Sequence, residues 1–306
     1  MKRFLLKVVI PSVLLIVAVV ATGELLLHVF PHEKLYKSRW MDRHAEEVQV
    51  LVLGSSNTNR AIMPNELGLG KGFSCAGPSQ DLLNDSWILH RYVERMDSLR
   101  YVIVDMNYLT PLLSIDYEDS YDALRKSYRI YWGNPSYAVK WWEWPEVSRF
   151  NWLAWYKDFI AEKDTIYTDG FMSRPSDRYD EEDWRYYAWM TAKDHTMIDD
   201  SNAERILKTN IDVLRRMAAT CQERGVQMVM VTCPVHEFFY SQMDQRQVEL
   251  MHRVSDSLCA EYPNVSYMDF MTCPLFTAED MSNANHLNVR GAVRFSQMVG
   301  DSIRRL

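Results

Sequence analysis

The run Val48-Gln-Val-Leu-Val-Leu53, which stops abruptly at Gly54-Ser55-Ser56-Asn57, constrains this chain more than any other stretch. It is short, apolar and rich in β-branched residues, which reads as a buried strand rather than a helix. Gly54 can take a backbone conformation closed to other residues, and Ser55, Ser56 and Asn57 are the types that cap a following helix. A strand that feeds straight into a helix implies an α/β sheet. Open sheets of that kind place their chemistry at the carboxyl ends of the central strands.

The same alternation continues. Phe73 to Ala76 is a short strand ended by Gly77-Pro78-Ser79, and Gln80 to Arg95 has helical spacing at Leu82, Leu83, Trp87, Ile88, Leu89 and Val93. Arg100 to Asn107 is a third strand, with Asp105 and Asn107 at its carboxyl end. After residue 200 the pattern predicts helices over Asn202–Arg224, Asp244–Tyr262 and Val289–Leu306, with strands over Val226–Thr232 and Val265–Phe270. The implied fold is α/β, a three-layer parallel sheet with helices on both faces. Residues 108–200 break the alternation and hold eight of the ten tryptophans, including Trp141, Trp142, Trp144, Trp152 and Trp155. They read as a mostly helical insertion with an acidic loop from Asp177 to Asp183. The division is therefore 1–30 as anchor or signal, 31–47 as a polar or amphipathic neck, and 48–306 as one α/β domain with insertion 108–200.

A basic head, Met1 to Lys7, precedes an uncharged run from Val8 to Gly23 that stays largely apolar to Phe30. That length crosses a bilayer as one helix. A cleaved secretory signal is the alternative, although Ala18-Val-Val-Ala21 is a poor cleavage site. Lys2, Arg3 and Lys7 lie before the span and Lys34, Lys37, Arg39 and Arg43 after it, so local charge does not orient it. A head this short stays inside, which places the body on the periplasmic or extracellular face. The net charge of −7 and the lack of a basic stripe argue against nucleic acid as a partner. Five cysteines show no metal-ligand spacing and name no disulfide pair.

Serine becomes a nucleophile when a neighbouring base, usually histidine, takes its proton. Of eight histidines, His286 stands in a loop-like Asp280-to-Asn288 stretch just before the last helix, and His236 follows Pro234 at a strand end. Ser56 and His286 would meet over one sheet edge. A helix cap and an unrelated surface histidine would carry the same residues. The Trp141-Trp142-Glu143-Trp144 cluster suits stacking on sugar rings, packing of the insertion, or a membrane interface.

Several blocks together, Leu51 to Ser56, Ala76-Gly77, Val104 to Asn107, Val231 to His236 and His286-Leu-Asn-Val-Arg-Gly-Ala292, resemble the SGNH, or GDSL-type, hydrolase superfamily. The likeness is to its membrane-anchored branch, with proteins related to D-alanyl transfer to teichoic acid and to polysaccharide O-acetylation. It spans residues 45–107 and 205–306 and implies a flavodoxin-like sheet. The resemblance makes Ser56 the nucleophile and His286 the base. The N–H groups of Ser56 and Gly77, with the Asn107 side chain, would form an oxyanion hole, although the usual G-x-N-D wording is absent at Asn107. The family's aspartate three residues before the histidine is replaced by Asn283, with Asp280 six residues before. Either Asp280 reaches in, or the enzyme is slow, or the chain is silent. In a serine triad, aspartate-to-asparagine exchange costs about 10⁴ in turnover. The resemblance implies a membrane-tethered serine esterase or acyltransferase acting on acetyl-like esters of an envelope polysaccharide or glycoconjugate. His236, Trp141, Trp142 and Trp144 are its candidate substrate contacts. The alternative is a catalytically silent protein for glycan binding or assembly of an envelope complex. No metal, nucleotide or redox cofactor is implied.

Overall fold

Five short apolar runs pair side by side, all parallel, into one sheet: β1 (Val50–Leu53), β2 (Gly72–Ser74), β3 (Tyr101–Asp105), β4 (Gln227–Thr232) and β5 (Val265–Asp269). Their order is β2-β1-β3-β4-β5. The computed structural model describes residues 4–29, 32–117, 119–145, 165–173 and 179–306. Leu51 lies between Phe73 and Val102, and Val102 in turn pairs with Met228. Strands covered by helices on both faces need apolar side chains in both directions, which is why β1 is an unbroken Val-Leu-Val-Leu run, wholly buried. Strand order reverses beside β1, because β2 lies on one side of it and β3 on the other. The crevice at such a reversal is where this architecture receives ligands.

The helices are α1 (Ile10–Val29), α2 (Glu33–His44), α3 (Ser56–Ala61), α4 (Leu82–Tyr92), α5 (Asp122–Tyr131), α6 (Glu181–His195), α7 (Ala203–Glu223), α8 (Gln245–Glu261) and α9 (Val289–Ile303). Local capping explains several boundaries. Asp81 accepts the Asn84 N–H at 3.1 Å to start α4, and Asn288 accepts the Gly291 N–H at 3.0 Å to start α9. α9 then packs so close that a Cβ on Gly300 would lie 1.9 Å from the Leu67 carbonyl oxygen. All five cysteines are free thiols; Cys75, Cys221 and Cys233 are buried, and burial pushes Cys221 up to about 12.

The stretch Leu6–Leu26 is long and apolar enough to cross a membrane and is almost entirely exposed along its sides. The neck that follows is no spacer. α2 buries Leu35 and Met41 in the main core, as does Ala45 just after it, and it stacks Trp40 on Phe73 at 3.8 Å. Lys37 is 1% exposed, and its Nζ donates to Glu33 (2.6 Å), Asn59 (2.8 Å) and the Ala76 carbonyl. Burial alone would raise the Glu33 carboxyl, but Lys37 and Lys34 beside it outweigh that and hold it below the usual range.

The insertion is likewise part of the core. Tyr128, Trp132 and Tyr137 around α5, and Trp184, Ala188 and Ala192 of α6, join the same apolar cluster. A small hairpin pairs Thr165–Ile166 with Met172–Ser173. Trp141, Trp142 and Trp144 are different, at 80%, 51% and 47% exposed, and so do not pack the insertion. Trp152, Trp155 and the first part of the Asp177–Asp183 loop lie outside the described residues.

Candidate active site

At the end of β1 the chain turns sharply against β3. Gly54 has φ +132°, and a Cβ there would sit 2.2 Å from the Asp105 Cβ, so both the conformation and the space require glycine. The turn is held by buried carboxyl groups. The Gly54 N–H donates to Asp85 (2.9 Å), and the Ser55 N–H and Oγ donate to Asp105 (3.1 and 2.5 Å). Ser55 also accepts the Asn57 N–H at 3.4 Å as the cap of α3. The first serine of the pair is thereby a structural bolt. Ser56, the first residue of α3, is half-buried, and its Oγ lies 3.0 Å from His286 Nε2.

His286 reaches Ser56 from a short antiparallel hairpin in which it pairs with Asn283. Asn283 Oδ1 lies 3.1 Å from His286 Nδ1 and also accepts the Asn285 N–H at 3.1 Å. Because a backbone N–H can only donate, the atom facing the imidazole is the oxygen. Nδ1 therefore carries the proton, and the bare lone pair of Nε2 faces the Ser56 hydroxyl. That is the tautomer a general base needs. The Asn283 Nδ2 donates to the Tyr187 hydroxyl at 3.4 Å, which in turn donates to Asn285 at 3.2 Å. Tyr187 of α6 thus holds the amide in this orientation.

Asp280 does not stand behind the imidazole. It is 1% exposed, pairs with Arg294 (2.8 Å) and Arg290 (3.3 Å) of α9, and accepts the Thr277 N–H at 3.2 Å. Gly291 lets α9 approach that turn, since a Cβ there would lie 2.1 Å from the Asp280 carbonyl oxygen. Two of the three expected oxyanion donors are engaged elsewhere. The Gly77 N–H donates to the Gly54 carbonyl at 2.9 Å. Both N–H bonds of the Asn107 amide are taken, by Ser55 and by Asp105, each at 2.8 Å. The Ser56 N–H heads α3, where a helix supplies no partner of its own.

A cavity of about 460 Å³ opens over Ser56, lined by Ser55, Ser79, Leu109, Leu113, Tyr121 and His195 among others. Ser79, at φ +52°, is the one non-glycine with positive φ among the described residues. Such strain persists where the surroundings over-determine it, as they do at functional sites. Burial lowers His195 to about 4 against the opposing pull of Asp194, so this second imidazole lining the cavity is neutral. His236 is not in this cavity. It caps the Glu237–Tyr240 turn through Phe238 (3.3 Å), lies edge-on to Trp184 at 5.5 Å, and borders a separate cavity of about 500 Å³. Trp141, Trp142 and Trp144 line neither cavity.

Tyr187, His195 and Tyr121 all come from the insertion, and nothing in their local sequence separates them from other insertion residues. The helical pattern over Gln80–Arg95 gives Asp85 no sign of a role. In the fold this residue is buried, and burial pushes its carboxyl well above the ordinary range, despite the Gln80 amide and with Asp105 and Asp81 adding to the rise. The folded protein therefore keeps a proton that the unfolded chain releases above about pH 3.9. This stabilising contribution is complete below that pH and fades as the pH rises toward the folded value. Asp85→Asn keeps a neutral acceptor for Gly54. Its urea midpoint should gain on the wild type as the pH rises above about 4, whereas parallel curves would refute the assignment.

No family model matches the chain, and no curated protein matches it. Among solved structures it is similar to a candidate platelet activating factor from Streptococcus pneumonia, at 9% identity and TM-score 0.43, over 94% of this chain and 98% of that one. It is also similar to a GDSL-like lipase from Bacteroides thetaiotaomicron VPI-5482, at 9% identity and TM-score 0.41, covering 90% and 100%. A candidate acylhydrolase from Bacteroides fragilis NCTC 9343 gives 9% identity and TM-score 0.41, covering 87% and 95%.

Proposed function

We propose that the protein is a membrane-tethered serine esterase or acyltransferase of the SGNH type, acting on acetyl-like esters of a cell-envelope glycan. The observation that carries this reading is the Ser56–His286–Asn283 relay, with distances of 3.0 and 3.1 Å, beneath an open cavity at the switch point of a parallel sheet. In the first half-reaction the Ser56 Oγ attacks the acyl carbonyl while His286 Nε2 takes its proton. The C–O bond to the alcohol breaks, and that oxygen receives the proton from His286. The acyl-serine is then released to water, giving an acid, or to a sugar hydroxyl, giving a new ester.

A second reading, a scaffold without turnover, draws support from the neutral Asn283 and from the engagement of Gly77 and Asn107 elsewhere. One assay separates the two. A serine-directed fluorophosphonate should label the folded wild type, and Ser56→Ala and His286→Ala should each abolish labelling while melting normally. A folded wild type that neither labels nor hydrolyses a small acetyl ester would leave the scaffold reading standing.

A further inference from the structure

The neck and the candidate site share a wall. Glu33 and Lys37, in the first turns of α2, bond to Asn59 at 2.9 and 2.8 Å, and Asn59 sits three residues beyond Ser56 on the same short helix. Lys37 also holds the Ala76 carbonyl, and a Cβ on Gly77 would lie 3.8 Å from both Glu33 Oε1 and Lys34 Nζ. The turn that follows, through Ser79, lines the cavity over Ser56. One face of this turn thus meets the neck and the other meets the cavity.

The apolar helix ends close by. α1 runs to Val29, and its His28 is gripped by Arg39 of α2, which donates to the His28 carbonyl at 2.9 Å and meets its ring at 2.8 Å. Three residues lie between Val29 and Glu33, so four Cα-to-Cα steps give a reach of at most about 14 Å. A headgroup layer is about 5–8 Å deep on each side of the bilayer core. With α1 held in a bilayer, that reach keeps the start of α2 close to the headgroup layer.

Exposed aromatics are linked to the neck through α5. α5 runs from Asp122, beside cavity residue Tyr121, to Tyr131, whose ring meets His32 at 4.7 Å; Lys34 lies over Tyr128 at 5.4 Å. Lys126 of α5 ties down the Trp141–Glu143 turn through Glu143 at 2.6 Å. Exposed tryptophans on a turn tied to α5, which itself meets the neck, suit the interface between lipid and water.

We infer that the Ser56 cavity is presented to the membrane surface, with Trp141 and Trp142 resting in the headgroup layer, so that its ester substrate is lipid-linked rather than freely soluble. The inference rests on the esterase reading for its chemistry and on α1 as an uncleaved anchor for its geometry. The test uses the full chain in phosphatidylglycerol–phosphatidylcholine vesicles with two probes, a soluble aryl acetate and an acetylated glycolipid in the same bilayer. A rigid (EAAAK)₄ spacer between Val29 and His32 lifts the site by about 30 Å. It should cut turnover of the glycolipid by about tenfold or more and leave the soluble ester within about twofold. In parallel, brominated lipids should quench the wild-type tryptophan fluorescence, and W141F/W142F should lose most of that quenching. Equal glycolipid turnover with and without the spacer, an equal fall on both esters, or no quenching that depends on Trp141 and Trp142 would overturn the inference. If neither ester is turned over and no fluorophosphonate label appears, the esterase reading fails instead, and the quenching still decides the placement.

Discussion

Gly54→Ala is expected to destabilise the protein by about 2–6 kcal/mol and to remove fluorophosphonate labelling from whatever remains folded. The added methyl would meet the Asp105 Cβ at 2.2 Å, where neither group belongs to a flexible side chain that can swing away. Overpacking of that kind costs about 1–3 kcal/mol. The φ of +132° adds a backbone penalty of about 1–3 kcal/mol for a residue with a Cβ. Relief requires β1 and β3 to part at their carboxyl ends, which moves Ser56 away from His286. A misplacement of about 1 Å between reacting groups can lower a rate by about 10². Urea titration gives the stability and the labelling rate reads the site. A midpoint shift worth less than about 0.5 kcal/mol would show that the close approach to Asp105 is not what the turn depends on.

Asn283→Asp should raise the labelling rate by about 10² or more. The amide oxygen already fixes the imidazole tautomer, so charge is what the relay lacks, and its absence costs about 10⁴ in a serine triad. A carboxylate fits the site as built. One oxygen keeps the bonds to His286 and to the Asn285 N–H, and the other accepts from a Tyr187 hydroxyl turned to donate. Asp280→Ala is the contrast. It should leave the labelling rate of folded protein within about twofold, because Asp280 serves Arg290, Arg294 and the Thr277 turn. Its cost falls on stability, about 1–3 kcal/mol. That is less than the 3–5 for a fully buried pair, because both arginines are largely in water. Unchanged labelling in Asn283→Asp, or lost labelling in folded Asp280→Ala, would overturn this assignment of the orienting group.

The five strands and the principal helices were legible in the sequence because their signals are local. A run such as Val50–Leu53 must be buried on both faces wherever it lies, and Ser55, Asp81 and Asn288 cap the helices that follow them by reaching only two or three residues along the chain. The same locality marked Ser56 and His286, since each ends or begins an element at the active edge of a parallel sheet. Their 3.0 Å separation is a product of the sheet order.

What the tertiary structure alone decided is which polar group meets which. Asp280 and Asn283 are equally plausible partners for His286 along the chain, but two arginines from α9 capture the carboxylate and leave the amide to the imidazole. The Gly77 N–H and the Asn107 amide have the right chemistry for an oxyanion hole, yet the closeness of Gly54, Ser55 and Asp105 engages them first. Tyr187 and His195 reach the site only because the insertion folds back over the sheet, and Lys37 does so because the neck is built into the core. Strand and helix patterns arise from the nearest neighbours in sequence. Hydrogen bonds and ion pairs are settled by competition among groups as far as 14, 52 and 230 residues apart, and only the packed fold sets their distances.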